Sequence, residues 1–406
     1  MLALLCTMKY RVWIAATMAL GIGALLLSWD LLIPNPDSFT PRPAPPAVLR
    51  TADVLNSPIA NPFGVAAALP KELTSDTFFK MIEEFSEPGG YFMYENYVSN
   101  ERSYQEPIPS LVKVARSGAY LGVGPEQNFT YIAAIRPAMA FIIDIRRQNM
   151  LELLLYKALF AMAANRAEFV SMLFSRRPSR IPDETSTAED LFRAYDVAQP
   201  EQGFFDSNLR RIKAQLRLRA NDEKTIEHVY RVFFSIGPDL SYSSTDSYAP
   251  AGPSYANLMT LTDGNGQNRS FLASEENFRF VKEMQRKNLI VPLVGDFAGP
   301  KAIRTVARYL KDHQATVSAF YLSNVEMYLL ASPQWKSFCA NVAALPVDQS
   351  STFIRFLLGR YAYEYAVSPN GFARRNVSAI SPMIDVLTGV AKGYPPSYYD
   401  LIHASR

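Results

Sequence analysis

The stretch AYLGVGPEQNFTYIAAIRPAMAFIIDIRR, residues 119–147, decides the fold class. Residues 119–123 are short, apolar and closed by glycine, as a buried strand is. Gly124-Pro125 breaks the run. Residues 126–135 fit a helix with Glu126 in an acidic first turn, and Arg136-Pro137 stops it. Residues 139–143 form a second apolar run that ends at Asp144. Strand, turn, helix and strand within 29 residues is the length of a parallel crossover.

Working outward, the same alternation returns towards the C-terminus. Residues 149–163 read as a strongly apolar helix and 275–287 as a second helix. A strand at 289–294 ends in Gly295-Asp296. Residues 301–311 are amphipathic, with Ile303, Val306, Ala307 and Leu310 opposite Lys301, Arg304, Arg308 and Lys311. A strand at 316–322 ends in Ser323-Asn324; a helix at 335–343 and a strand at 352–357 follow. Strands alternating with helices predict an α/β fold with a mainly parallel sheet. The pattern weakens over 175–270, within a large, mostly helical insertion at about 166–274. Within it, 210–219 reads as a basic, solvated helix face, and 242–266, rich in Tyr, Ser, Gly and Pro, as loop. Before the crossover, 73–86 predicts a helix capped by Thr74 or Ser75, with Phe78, Met81, Ile82 and Phe85 on one face. A loop rich in tyrosine and asparagine spans 91–104.

The N-terminal end has a different character. Residues 12–29 carry no charge over 18 positions, enough helix to cross a hydrocarbon core of about 30 Å. Lys9 and Arg11 precede this segment and Asp30 follows, which places the N-terminus in the cytoplasm and the rest outside. The alternative is a cleaved signal peptide and a secreted domain, although no small-x-small cleavage site follows. Eight prolines between Pro34 and Pro62 predict an extended tether. The organisation expected is therefore a transmembrane anchor at 1–33, a proline-rich linker at 34–69, and one α/β domain at 70–406.

Of the 406 residues, 49% are hydrophobic, ample for a core of that size. A net charge of +3 gives no footprint for a nucleic-acid partner. His228, His313, His403, Cys6 and Cys339 lack ligand spacing, so no metal site is expected. Neither a GxSxG elbow nor a GxxxxGK[ST] loop occurs.

Chemistry is expected at the strand ends, where ligands of parallel sheets bind. Gly122 and Gly124 let backbone approach a ligand, and Asp144 stands where an acid can hold two ribose hydroxyls. A G-x-G-x-x-G dinucleotide fingerprint would need glycine at Gln127, so that class is disfavoured. The segment from Tyr120 to Tyr131, with Ile143-Asp144-Ile145-Arg146-Arg147, resembles the S-adenosylmethionine-dependent methyltransferase fold of class I, which is Rossmann-like. It is similar, more closely, to an uncharacterised bacterial family described only as methyltransferase-like, over most of the chain from about residue 73.

The resemblance implies that Gly122 and Gly124 pack against the methionine end of the cofactor and that Asp144 binds its ribose. It implies Asp296 for the adenine amine and Asn324 facing the reacting centre. Two positions depart from the family: Tyr120 stands where an acid is usual, and Glu126 where the third glycine falls. Both lie at the methionine end and leave the adenosine end intact. Plainer roles stand beside these. The glycines serve a tight turn, Asp144 and Asp296 pair with Arg146 and Lys301, Asn324 caps the next helix, and Glu101 and Tyr104 belong to ordinary loop packing rather than a lid. An external domain also sits apart from the cytoplasmic S-adenosylmethionine pool. Two functions therefore remain: a membrane-anchored protein that binds S-adenosylmethionine or a related adenosine ligand, or a non-catalytic, membrane-tethered binding or scaffold protein.

Overall fold

The computed structural model describes residues 68–245, 252–330, 332–359, 362 and 376–391. The segment at 12–29 and nearly all of the linker at 34–69 lie outside the described residues. Among those described, no helix is long and apolar enough to cross a membrane.

Six strands form one sheet: β1 (Ala119–Gly122), β2 (Met139–Asp144), β3 (Ile290–Val294), β4 (Val317–Ser323), β5 (Thr352–Leu358) and β6 (Asn376–Pro382). Their order is β3-β2-β1-β4-β5-β6. The first five run parallel, and β6 pairs antiparallel with β5. The sequence reading placed β1 to β5 within a residue or so at each end. It had no counterpart for β6, whose Asn-Val-Ser start carries little apolar alternation.

Helices fill the crossovers. In chain order they are α1 (Ser75–Phe85), α2 (Ile108–Val114), α3 (Gln127–Ile135), α4 (Arg147–Met162), α5 (Arg166–Phe174), α6 (Ala188–Asp196), α7 (Gln202–Gln215), α8 (Ala220–Ile236), α9 (Tyr255–Thr260), α10 (Glu275–Arg286), α11 (Ala302–Asp312), α12 (Val325–Leu329), α13 (Gln334–Ala344) and α14 (Ile384–Ala391). Thr74 caps α1, its hydroxyl accepting from Thr77 N at 3.2 Å. The insertion at 166–274 is helical, as expected, and α9 corrects the loop reading of 242–266. Ser254 and Asn257 form a capping box that starts a helix inside a Tyr- and Ser-rich stretch. The basic stretch at 210–219 is helical only to Gln215.

Strand alternation sorts the aromatic residues between two faces. On β4, Phe320 packs against Phe297 at 5.0 Å on one side, while Tyr321 packs against Tyr131 of α3 at 5.1 Å on the other. The two ends of the insertion are tied together by Arg166, 1% exposed, whose guanidinium donates to the carbonyls of Leu272 at 2.9 Å and Ala273 at 3.1 Å. The open edge of β3 is covered by residues 86–90. Glu87 N donates to Val294 O at 2.8 Å, and the Glu87 carboxylate accepts from Asp296 N, Lys301 N and Ala302 N at 2.7–3.1 Å. Glu87 thereby caps the start of α11, a negative charge at the positive end of a helix.

The strand order reverses between β1 and β4. The chain runs β1, β2, β3 outward on one side, then returns to place β4 on the other. At such a switch point the carboxyl ends of the strands diverge and leave a crevice.

Candidate functional site

A cavity of about 590 Å³ opens over those carboxyl ends. Gly124 follows β1, Asp144 ends β2, Asp296 follows β3, Asn324 follows β4 and Leu358 ends β5, and all five line the cavity. Four of the five residues singled out from sequence are thus brought together. Gly122 is not part of the lining.

Gly122 has a packing reason. A Cβ there would lie 2.0 Å from Asn128 Oδ1. Asn128 holds the β1 turn shut: its Nδ2 donates to the carbonyls of Val123, Gly124 and Pro125 at 2.8–3.0 Å, and its Oδ1 accepts from Tyr120 OH at 2.9 Å. Tyr120, where the methyltransferase pattern has an acid, is therefore a brace for this turn. Gly124 has φ +77°, a conformation glycine adopts without a steric penalty.

Asp144 is committed to an ion pair. Oδ1 accepts from Arg146 N at 2.8 Å and Nε at 3.1 Å, and Oδ2 accepts from Nη2 at 3.0 Å. Both side chains are buried. Of about four lone-pair positions on a carboxylate, three are taken and one on Oδ2 is left. Arg146 also donates to Glu95 O and lies against the Phe92 ring at 5.9 Å. Asp296 does not pair with Lys301, whose Nζ donates to Ser86 O at 2.7 Å instead. Asp296 Oδ1 accepts from Ala298 N at 2.8 Å and shapes the turn into α11. Asn324 occupies the N-cap position of α12 without a side-chain cap bond, so capping is not its role.

The loop at 91–104 divides in two. Tyr91, Phe92, Met93, Tyr94 and Asn96 line the cavity mouth, where Tyr91 is 85% exposed and Met93 57%. Phe92 meets Tyr328 edge-on at 5.6 Å, and Tyr94 meets Tyr242 at 5.6 Å. The second half dives inward. Ser99, Glu101 and Tyr104 are buried, and Tyr104 OH donates to Leu258 O at 2.8 Å.

Glu101 is the functional candidate that sequence reasoning set aside. Its Oε1 accepts from Tyr321 OH at 2.6 Å and from Ser323 Oγ, and Ser323 lines the cavity. Tyr321 OH in turn accepts from Gln127 Nε2 at 3.0 Å, and Gln127 is also on the lining. Ser323 has φ 52°, an uncommon conformation for a residue with a side chain. Burial pushes the Glu101 carboxyl up to about 7, against the pull of the Ser323 and Tyr321 hydrogen bonds. Burial likewise pushes Glu126 up to about 8, and Glu152 well above the carboxylate range, its neighbour Glu126 adding to the effect. The one signal in the sequence was position: Glu101 lies in a polar loop, and only tertiary packing carries it under β4.

A family model matches residues 96–235 and 241–388. The chain belongs to the family described as Domain of unknown function (DUF7790). The match of this family takes in all six strands, the insertion and the inward half of the 91–104 loop, including Glu101. No curated protein matches the chain.

Proposed function

We propose that this protein is methyltransferase-like and that its cavity takes S-adenosylmethionine or a related adenosine ligand. The observation that carries this reading is the meeting of Gly124, Asp144, Asp296 and Asn324 around one cavity at the switch point of the sheet. An antiparallel strand beside β5 departs from an all-parallel dinucleotide fold and agrees with the class I methyltransferase type. The donor set fits the ligand. Asp144 keeps a lone-pair position for a ribose hydroxyl, Asp296 stands at the adenine end, and Phe92, Tyr94, Tyr242 and Tyr328 offer aromatic surface for a planar base. S-adenosylmethionine would supply a methyl group on sulfonium; Gln127, Ser323 and Asn324 would orient the groups around it.

A second reading is supported by two observations: Asp144 is held by Arg146, and Tyr120 serves the turn. In that reading the cavity binds without turnover. We also propose the single membrane span at 12–29, which would tether the domain; a reporter active only in the cytoplasm, fused after Arg406, reads its orientation.

The test of the principal reading is thermal shift and calorimetry of the full chain in detergent with S-adenosylmethionine. Saturable heat and a raised Tm are expected. Neither effect at millimolar ligand would remove the reading. Methyl transfer to membrane extracts then separates it from the second.

A further inference from the structure

Among the described residues no cation pairs with Glu101, a buried acid held under β4. Glu101 is 1% exposed, its Oε1 holds two hydroxyl donors, and its Oε2 has no partner. The titratable groups acting with it are Tyr120 on β1, Glu126 at the start of α3, Tyr131 on α3 and Tyr321 on β4, and none of them is a cation. Leaving a carboxyl in this state costs free energy that a cation would offset. Ser323, which donates to Glu101 Oε1, lines the cavity, and so does Gln127, which reaches the same oxygen through Tyr321 OH.

The cavity itself has the complementary shortage. Gln127, 4% exposed, uses its Nε2 on Tyr321 and leaves Oε1 without a partner. Asn96 Oδ1, also on the lining, has none. Among the described residues of the lining Arg146 is the one basic side chain, and its guanidinium is spent on Asp144 and Glu95 O. Gln127 and Asn96 thus leave two acceptor oxygens of the lining without a donor.

We infer that the end of the cavity between β1 and β4 is a cation site, where a ligand ammonium or sulfonium sits against Gln127 and Ser323 with Glu101 as its counter-charge. The inference rests on the reading that the cavity takes an adenosine ligand. Binding converts the neutral Glu101 carboxyl to carboxylate, and the proton leaves to the buffer. Burial holds that proton near neutrality in the free protein.

The experiment is calorimetry of the full chain at pH 7, in phosphate and in Tris, whose protonation enthalpies differ. The probes are S-adenosylmethionine, S-adenosylhomocysteine (ammonium but no sulfonium), methylthioadenosine (neither cation) and adenosine monophosphate. S-adenosylmethionine is expected to release about half a proton, as a group with pKa of about 7 does when driven to its ionised form. Methylthioadenosine is expected to bind at least about tenfold more weakly without release, a loss of about 1.4 kcal/mol, and adenosine monophosphate not to bind. Release retained with S-adenosylhomocysteine assigns the cation to the ammonium, and release lost assigns it to the sulfonium. Glu101→Gln should abolish release and bring S-adenosylmethionine down to the affinity of methylthioadenosine. If that variant does not fold, the wild-type probes decide alone. Equal binding of methylthioadenosine with no release, or tight binding of adenosine monophosphate, overturns the inference and leaves the adenosine reading standing. No heat from any adenosine probe removes both.

Discussion

Asp144 and Glu101 stand beside the same cavity and are both buried, but their surroundings differ. Asp144 ends β2 and receives three bonds from Arg146, two residues along the chain. Glu101 arrives from a distant loop and meets only the hydroxyls of Tyr321 and Ser323. The first acid has a guanidinium partner close along the chain; the second is pushed up to about 7 by burial, with only hydroxyls to answer it. An acid at an expected strand end can thus be structural, while one in an unremarked loop keeps its charge in reserve.

The largest effect should come from breaking the paired acid. Asp144→Ala would leave the Arg146 guanidinium buried without its counter-ion, a change that costs about 3–5 kcal/mol. Urea unfolding should show this loss in the absence of any ligand. A near-neutral Asp144→Ala would mean that the pair is not what commits this residue.

Gly122→Ala asks whether the neighbouring glycine is equally structural. Its Cβ would collide with Asn128 Oδ1, which is fixed by Tyr120. A loss of about 1–3 kcal/mol is expected from overpacking in a dense interior. Wild-type stability with weakened ligand binding would instead place Gly122 in the site.

The unpaired acid should reveal itself through pH. Between the ordinary Glu value of 4.5 and about 7 to 8, folded Glu101 and Glu126 hold protons that the unfolded chain has released. Stability therefore falls as pH rises through that window and levels off above it. Glu101→Gln should remove about 2.5 kcal/mol of the decline between pH 5 and pH 8, as expected for a carboxyl raised from 4.5 to about 7. Parallel stability curves for variant and wild type would show that Glu101 titrates normally. The smallest change is expected at Asn324→Ala, within about 0.5 kcal/mol in stability, since Asn324 makes no side-chain cap bond.

What was legible in the sequence follows the range of the forces involved. The five parallel strands announced themselves because each is a mostly apolar run, buried on both faces and closed by Gly, Asp or Asn. Four strand-end residues followed directly, since parallel topology brings their carboxyl ends together. The pairing of Asp144 with Arg146 was within reach because it is local. The role of Gly122 was not, because it depends on where the Asn128 side chain turns. β6 was missed because an edge strand needs little apolar alternation. Glu101 was missed because its burial depends on Tyr321 and Ser323, some 220 residues away.

The central claim is that an adenosine ligand occupies the cavity above β1 to β4. Ultraviolet cross-linking of S-adenosylmethionine carrying a radiolabelled methyl group, followed by peptide mapping, addresses it directly. The account predicts label on peptides from the cavity lining, above all those containing Phe92 to Asn96, Gly124 to Gln127 and Ser323 to Tyr328, suppressed by excess unlabelled S-adenosylhomocysteine. Label that resists competition, or that maps to the separate groove lined by Arg147, Arg217 and Asp222, would contradict it.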